Sequence, residues 1–236
     1  MKKQMLFCLA VLALAGSARA SINIYTVNNL SATIPDNDLN GYQNSQLVSG
    51  LSGPITDVNV TLNITGGFNG DLYLFLSHDN TLAVLLNRVG LSASGGVGYP
   101  NTGFDITLDD QAANDVHFYQ AFLYTLNGSG HLTGPWQPDG RLIDPLSPGS
   151  AFPGATRGNT LNIFNGMDPN GSWSLFAADV SSGGISTLQG WGLAIAVVPE
   201  LSSAAFTGCM LTLGLLWKVI RQGTGRSGLP VEPDCE

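Results

Sequence analysis

The densest chemistry in the sequence lies between Phe104 and Asp115, where FDITLDDQAAND places Asp105, Asp109, Asp110 and Asp115 within eleven residues. Hard oxygen donors at loop spacing suit Ca²⁺, which gathers about six to eight oxygen ligands from carboxylates, carbonyls and water. Their order does not match an EF-hand loop. Asp109 and Asp110 could also be read as an acid/base pair. Neighbours on a strand point to opposite faces, an objection a loop would relax, and calcium ligation is the easier account. His78, His117 and His131 lie in separate segments, with no His-x-x-x-His pair and no cysteine-containing cluster, which argues against zinc. Counting Ser and Asp leaves a Ser-His-Asp arrangement open, but no Gly-x-Ser-x-Gly elbow is present. The expectation is a protein that is not an enzyme.

These residues must be positioned by strands. Charged residues make up 11% and hydrophobic ones 44%, with 30 Gly and 12 Pro, a composition of turn-rich β structure. Val58, Val60, Leu62 and Ile64 alternate with Asn59, Thr61, Asn63 and Thr65, the period of a strand with one wet face. Ser21–Thr33 reads as an opening strand, followed by turn formers from Ile34 to Gly41. Asp71–Ser77 is apolar on both faces and is expected to pair with Thr81–Asn87, while Ser92–Phe104 reads as a long surface loop. Asn170–Val198 reads as a closing hairpin, with Trp173, Leu175 and Ala177 on one face and Trp191, Leu193, Ile195 and Val197 on one face of its partner. With no helical period inside the domain, a β-sandwich or barrel is expected.

The termini carry addresses. Residues 1–20 combine Lys2 and Lys3, the apolar run Met5–Ala15 and the small-x-small end Ala18-Arg19-Ala20, a signal peptide for signal peptidase. Leu201–Ile220 is long enough to cross a bilayer as a helix and is followed by Arg221 and Arg226, which predicts a transmembrane segment with a cytoplasmic end. Residues 223–236 form a polar tail. Cys8, Cys209 and Cys235 all lie outside the domain and cannot staple it. Between Ser21 and Trp217 the only basic residues are Arg88, Arg141 and Arg157, against thirteen Asp and Glu200, so nucleic acid is excluded as a partner and divalent cations are favoured.

From Ile34 to Val198 the chain resembles the P domain that follows the catalytic domain of subtilisin-like proprotein convertases and also occurs in bacterial exported proteins. The likeness rests on Ile34-Pro35-Asp36-Asn37, on Ile55-Thr56-Asp57-Val58 leading to Asn69-Gly70-Asp71-Leu72, and on Asp109-Asp110-Gln111-Ala112. It continues in Phe164-Asn165-Gly166, Asn170-Gly171-Ser172-Trp173-Ser174-Leu175 and Leu188-Gln189-Gly190-Trp191-Gly192-Leu193. The resemblance implies a jelly-roll β-sandwich of about eight or nine strands over residues 21–198, often calcium-stabilised, and does not imply proteolysis. Asp36, Asp71, Asp109, Asp110 and Asp115 are the expected metal ligands. The chain departs from the family pattern at Gly184-Ile185-Ser186, where an acidic residue and a glycine are usual, and at Gln111, a neutral donor in an acidic position. Residues 199–222 resemble a PEP-CTERM sorting segment, with Pro199 and Glu200 in the motif and Leu201 where a second proline is usual. That resemblance implies an exosortase-like processing enzyme, or a permanent anchor if the segment is not processed.

Two functions follow as expectations. The first is a non-catalytic exported protein of the cell envelope, held at the membrane by its C-terminal helix or released to an exopolysaccharide matrix. The second is a carbohydrate-binding module, with Trp136 as the chief sugar-stacking candidate beside Tyr99, Phe118 and Tyr119. The alternative for Trp136 is to cover the end of the core.

Overall fold

Alternation decides the strands. In the computed structural model, which describes residues 20–92 and 96–198, Val58, Val60, Leu62 and Ile64 are all buried while Thr61 and Asn63 face solvent. Each buried aliphatic of this kind stabilises the fold by roughly 1.5–3 kcal/mol, and a slip of one residue would turn all four outward. Ten strands form: β1 (Ser21–Val27), β2 (Ala32–Ile34), β3 (Asp38–Val48), β4 (Ile55–Gly66), β5 (Leu72–His78), β6 (Thr81–Asn87), β7 (Gly103–Leu108), β8 (Leu132–Trp136), β9 (Gly171–Asp179) and β10 (Ser186–Val197). One sheet has the order β1-β10-β4-β7-β8, with β2 also on β10, and the other the order β3-β9-β5-β6. Pairing is antiparallel except between β7 and β8. Aliphatic and aromatic side chains from both sheets meet in one core, so the fold is an all-β sandwich.

Several expectations need revision. The opening strand is broken into β1 and β2 because Asn29 and Ser31 take positive φ (58° and 47°), so the described domain has ten strands rather than eight or nine. The turn after Ile34 is short: Pro35-Asp36-Asn37 suffices, with Asn37 at φ 51°, and β3 starts at Asp38. Most consequentially, β9 and β10 are not a hairpin. They belong to opposite sheets, and the segment between them crosses from one layer to the other. Their apolar faces look alike because both face the same core, Trp173 from one side and Trp191 from the other. The expected pairing of β5 with β6 is present. The signal peptide, Pro199, Glu200 and the C-terminal helix lie outside the described residues, and within those residues no helix is long and apolar enough to cross a membrane.

Candidate metal centre

At one end of the sandwich the crossing from β9 to β10 is built around Asp179. The alternation that buries Trp173, Leu175 and Ala177 carries Asp179 to the same inward face, where its side chain is fully buried. Register places Asp179 opposite Leu72 of β5 and Asp38 of β3, which brings Asp71 and the Asp36 turn beside it. The Val180 N–H donates to the Asp71 carbonyl at 2.9 Å, and the Ser181 N–H to Asp179 Oδ1 at 3.2 Å. Asp36 accepts from the Gly183 N–H at 3.0 Å, which ties the β2–β3 turn to the crossing.

One oxygen is left over. Asp179 Oδ2 is buried without a hydrogen-bond partner, and so is Ser186 Oγ a short distance along the chain. Burial pushes the Asp179 carboxyl up to about 6, with the Asp71 and Asp36 charges adding to the rise against the Ser181 N–H. Burial likewise raises Asp71, with Asp36 acting in the same direction and Arg88 opposing it. An orphaned carboxylate oxygen facing other carboxylates lacks either a proton or a cation. Among the described residues no three His, Cys, Asp or Glu side chains already converge as metal ligands. Calcium does not require such convergence, since hydroxyls and backbone carbonyls complete its shell. Asp36, Asp71 and Asp179 offer the oxygen donors calcium takes, and Asp179 Oδ2 alone of them is left buried without a partner.

The other expected ligands are dispersed. Asp110 accepts from the N–H groups of Leu161 and Asn162 and from the Thr160 hydroxyl, capping the 3-10 turn Leu161–Phe164. Asp115 caps the turn that starts at Val116, accepting from the His117 N–H at 2.9 Å, and pairs with Arg141 at 2.7 Å and Arg157 at 3.4 Å. Both carboxylates are thereby committed to structure. Asp109 accepts from the Gln111 N–H at 2.7 Å and, with Asp110, adds to the burial that raises Asp57. The Gln111 amide, turned so that its nitrogen faces them, bridges Asp109 and Asp57 at 2.8 and 3.1 Å. A neutral donor thus occupies the space between those two acids.

Trp136 is 4% exposed, its indole N–H donates to the Thr133 carbonyl at 3.0 Å, and its ring packs edge-on to Tyr119. It covers the core and offers no open ring face. Tyr119 is fully buried, and Tyr99 and Phe118 are half-buried. Sequence reasoning missed Asp179 and Asp57. The signal for Asp179 was present, since a carboxylate two residues beyond Ala177 continues a buried face.

No protein-family model and no curated protein matches the sequence. Among solved structures the chain is similar to the serine protease of Aeromonas sobria in complex with a chaperone, at 16% identity and a TM-score of 0.42 over 80% of this chain and 29% of that one. The structure of an Aeromonas sobria serine protease is similar at 14% identity and a TM-score of 0.40, with the same coverage. The chain thus spans less than a third of the length of these proteins, and a likeness of this degree carries no activity over to it.

Proposed function

We propose that the chain is a non-catalytic, exported protein of the cell envelope or its matrix, which displays a calcium-stabilised sandwich and is held or sorted through its C-terminal segment. The observation that carries the calcium part is the buried, unpartnered Asp179 Oδ2 beside Asp71 and Asp36. The export part rests on the sequence of residues 1–20 and 199–222, read as a signal peptide and a PEP-CTERM-like anchor served by signal peptidase and an exosortase-like enzyme. A P-domain-like jelly roll is the finer fold assignment. It is supported by consecutive strands that change sheets, β3 to β4 and β9 to β10.

Calcium binding to the folded state alone raises stability by mass action. Chelation should lower the Tm of the full chain, and Asp71→Asn combined with Asp179→Asn should abolish the difference between calcium-loaded and chelated protein. Asp110→Ala, which removes a cap, should cost about 1–2 kcal/mol yet leave the chelator shift intact. A melting curve indifferent to chelator would remove calcium from the proposal. Mass spectrometry of the C-terminus from the cell surface tests the address: a chain ending near Pro199 is a processed protein, and an intact tail is a retained anchor.

A further inference from the structure

The outer face of the β1-β10-β4-β7-β8 sheet is not a flat wet surface. Pairing aligns two rows across it: Thr26, Gly192, Thr61, Thr107 and Pro135 in one, and Gly190, Asn63, Asp105 and Thr133 in the other. The central strand β10 contributes only glycines to these rows. A side chain cannot be added there, because a Cβ on Gly190 would lie 2.6 Å from the Val27 carbonyl and one on Gly192 would lie 2.7 Å from Thr61 Oγ1. The result is a trough of about 350 Å³ between β1 and β7. A second depression of about 410 Å³, lined by Asn28, Asn29, Asn63, Gln189 and Gly190, shares three of its residues and lengthens it.

Hydrogen bonding distinguishes the trough from the rest of this face. Outside the first depression the polar side chains bond to one another, Asn59 to Asp57 at 3.3 Å and Gln189, in the second depression, to Thr65 at 3.1 Å. Inside it, the side chains of Thr26, Asn28, Thr61, Asn63, Asp105 and Thr107 make no hydrogen bond to any described residue. Their hydroxyls, amides and one carboxylate line the groove on either side of Gly190. Among the described residues no cation serves it, since Arg88, Arg141 and Arg157 are all engaged elsewhere. Arg88 bonds to the Gly70 and Pro145 carbonyls, Arg141 to Asp115 and Asp139, and Arg157 to Gln137 and the Pro138 carbonyl.

We propose that this trough binds a segment of a neutral polysaccharide chain. Hydroxyls and amides that can both donate and accept, set along a groove, match a polymer of hydroxyls. The lone Asp105 carboxylate accepts from sugar hydroxyls, and with no opposing cation it repels uronic-acid polymers. The site is separate from Trp136 and from the Asp179 cluster. It deepens the envelope reading by naming what the displayed domain holds, and it rests on that reading only for the origin of the polymer.

The test is affinity electrophoresis of the detergent-solubilised full chain through gels containing β-1,4-glucan, β-1,3-glucan, mannan or polygalacturonate, in calcium and in chelator. At least one neutral polymer should retard the wild type. Asn63→Ala with Asp105→Ala should weaken that retardation about tenfold, the loss of two or three hydrogen bonds, with an unchanged Tm because both side chains are exposed. Trp136→Phe should be retarded as wild type. Absence of retardation by any neutral polymer, retardation that survives the double substitution, or equal retardation by polygalacturonate overturns the proposal. Retardation lost only in chelator together with Tm would implicate the calcium site instead and overturns it as well. A melting curve indifferent to chelator, with retardation intact, removes calcium from the proposed function and leaves the trough standing.

Discussion

Asp179 occupies a position that three preceding alternate residues, Trp173, Leu175 and Ala177, reserve for apolar side chains. Its burial has a signed consequence for pH. The folded-state carboxyl titrates near 6 against a usual value of 3.8, so the folded chain holds a proton that the unfolded chain has already released. That contribution is fully present below about 3.8 and is lost as pH rises through about 6. In chelator, stability should therefore fall by on the order of 2 kcal/mol between pH 4 and 7, from this group alone. Asp179→Asn should flatten that slope, measured by denaturant unfolding across pH. Calcium should flatten it too, by neutralising the charge that the proton otherwise removes. A chelated wild type whose stability rises over that interval, in step with Asp179→Asn, contradicts the assignment.

The elements around the Arg141 guanidinium show how the irregular half of the chain is held. Residues 109–169 contain little regular structure apart from β8. Arg141 is 3% exposed, with Asp139 at 3.1 Å, Asp115 at 2.7 Å and the Phe152 carbonyl at 3.0 Å. Asp139 in turn faces His117 at 2.7 Å, with both side chains fully buried. The guanidinium therefore joins the Asp115 turn, the β8 exit and the loop at Phe152. Arg141→Met leaves two carboxylates buried against a thioether and should cost about 3–5 kcal/mol, read from urea unfolding. A loss below about 1 kcal/mol would mean that the network is dispensable.

Legibility in the sequence divides along the same physical line. β4 was readable because one wet and one dry face write period two into the residues, and the β5–β6 pair because two short apolar runs are separated by a turn. β3 was not, since its inward positions Asn44 and Gln46 are polar while Leu47 is exposed, and a glycine at φ 55° sits near its start. A sequence records which face a strand buries but not which strand lies beside it. For that reason the β9–β10 faces were correct while their pairing was not. Asp36 and Asp71, expected as ligands from their motifs, lie beside the buried Asp179. In the Asp109–Asp115 cluster, closeness along the chain ends in two caps and an amide bridge.

For the whole molecule, charge and termini matter most. The formal net charge is −8, and every arginine of the described domain is bonded to protein acceptors. Its surface therefore carries few cations for anionic polymers to pair with. Both ends of the described domain also sit together, because β1 lies antiparallel along β10 with Ser21 opposite Val197 and Val27 opposite Trp191. Pulled apart at residues 21 and 198, that edge is loaded like a zipper, one pair at a time, and β1 should peel away at low force. Handles at residues 27 and 198 load the same pairs in shear and should need a clearly higher force in single-molecule pulling; equal forces would refute this geometry. For a domain tethered at its C-terminus the difference is directional: drag transmitted through the sandwich to Val198 bypasses β1, whereas a tug on the free amino end strips it first.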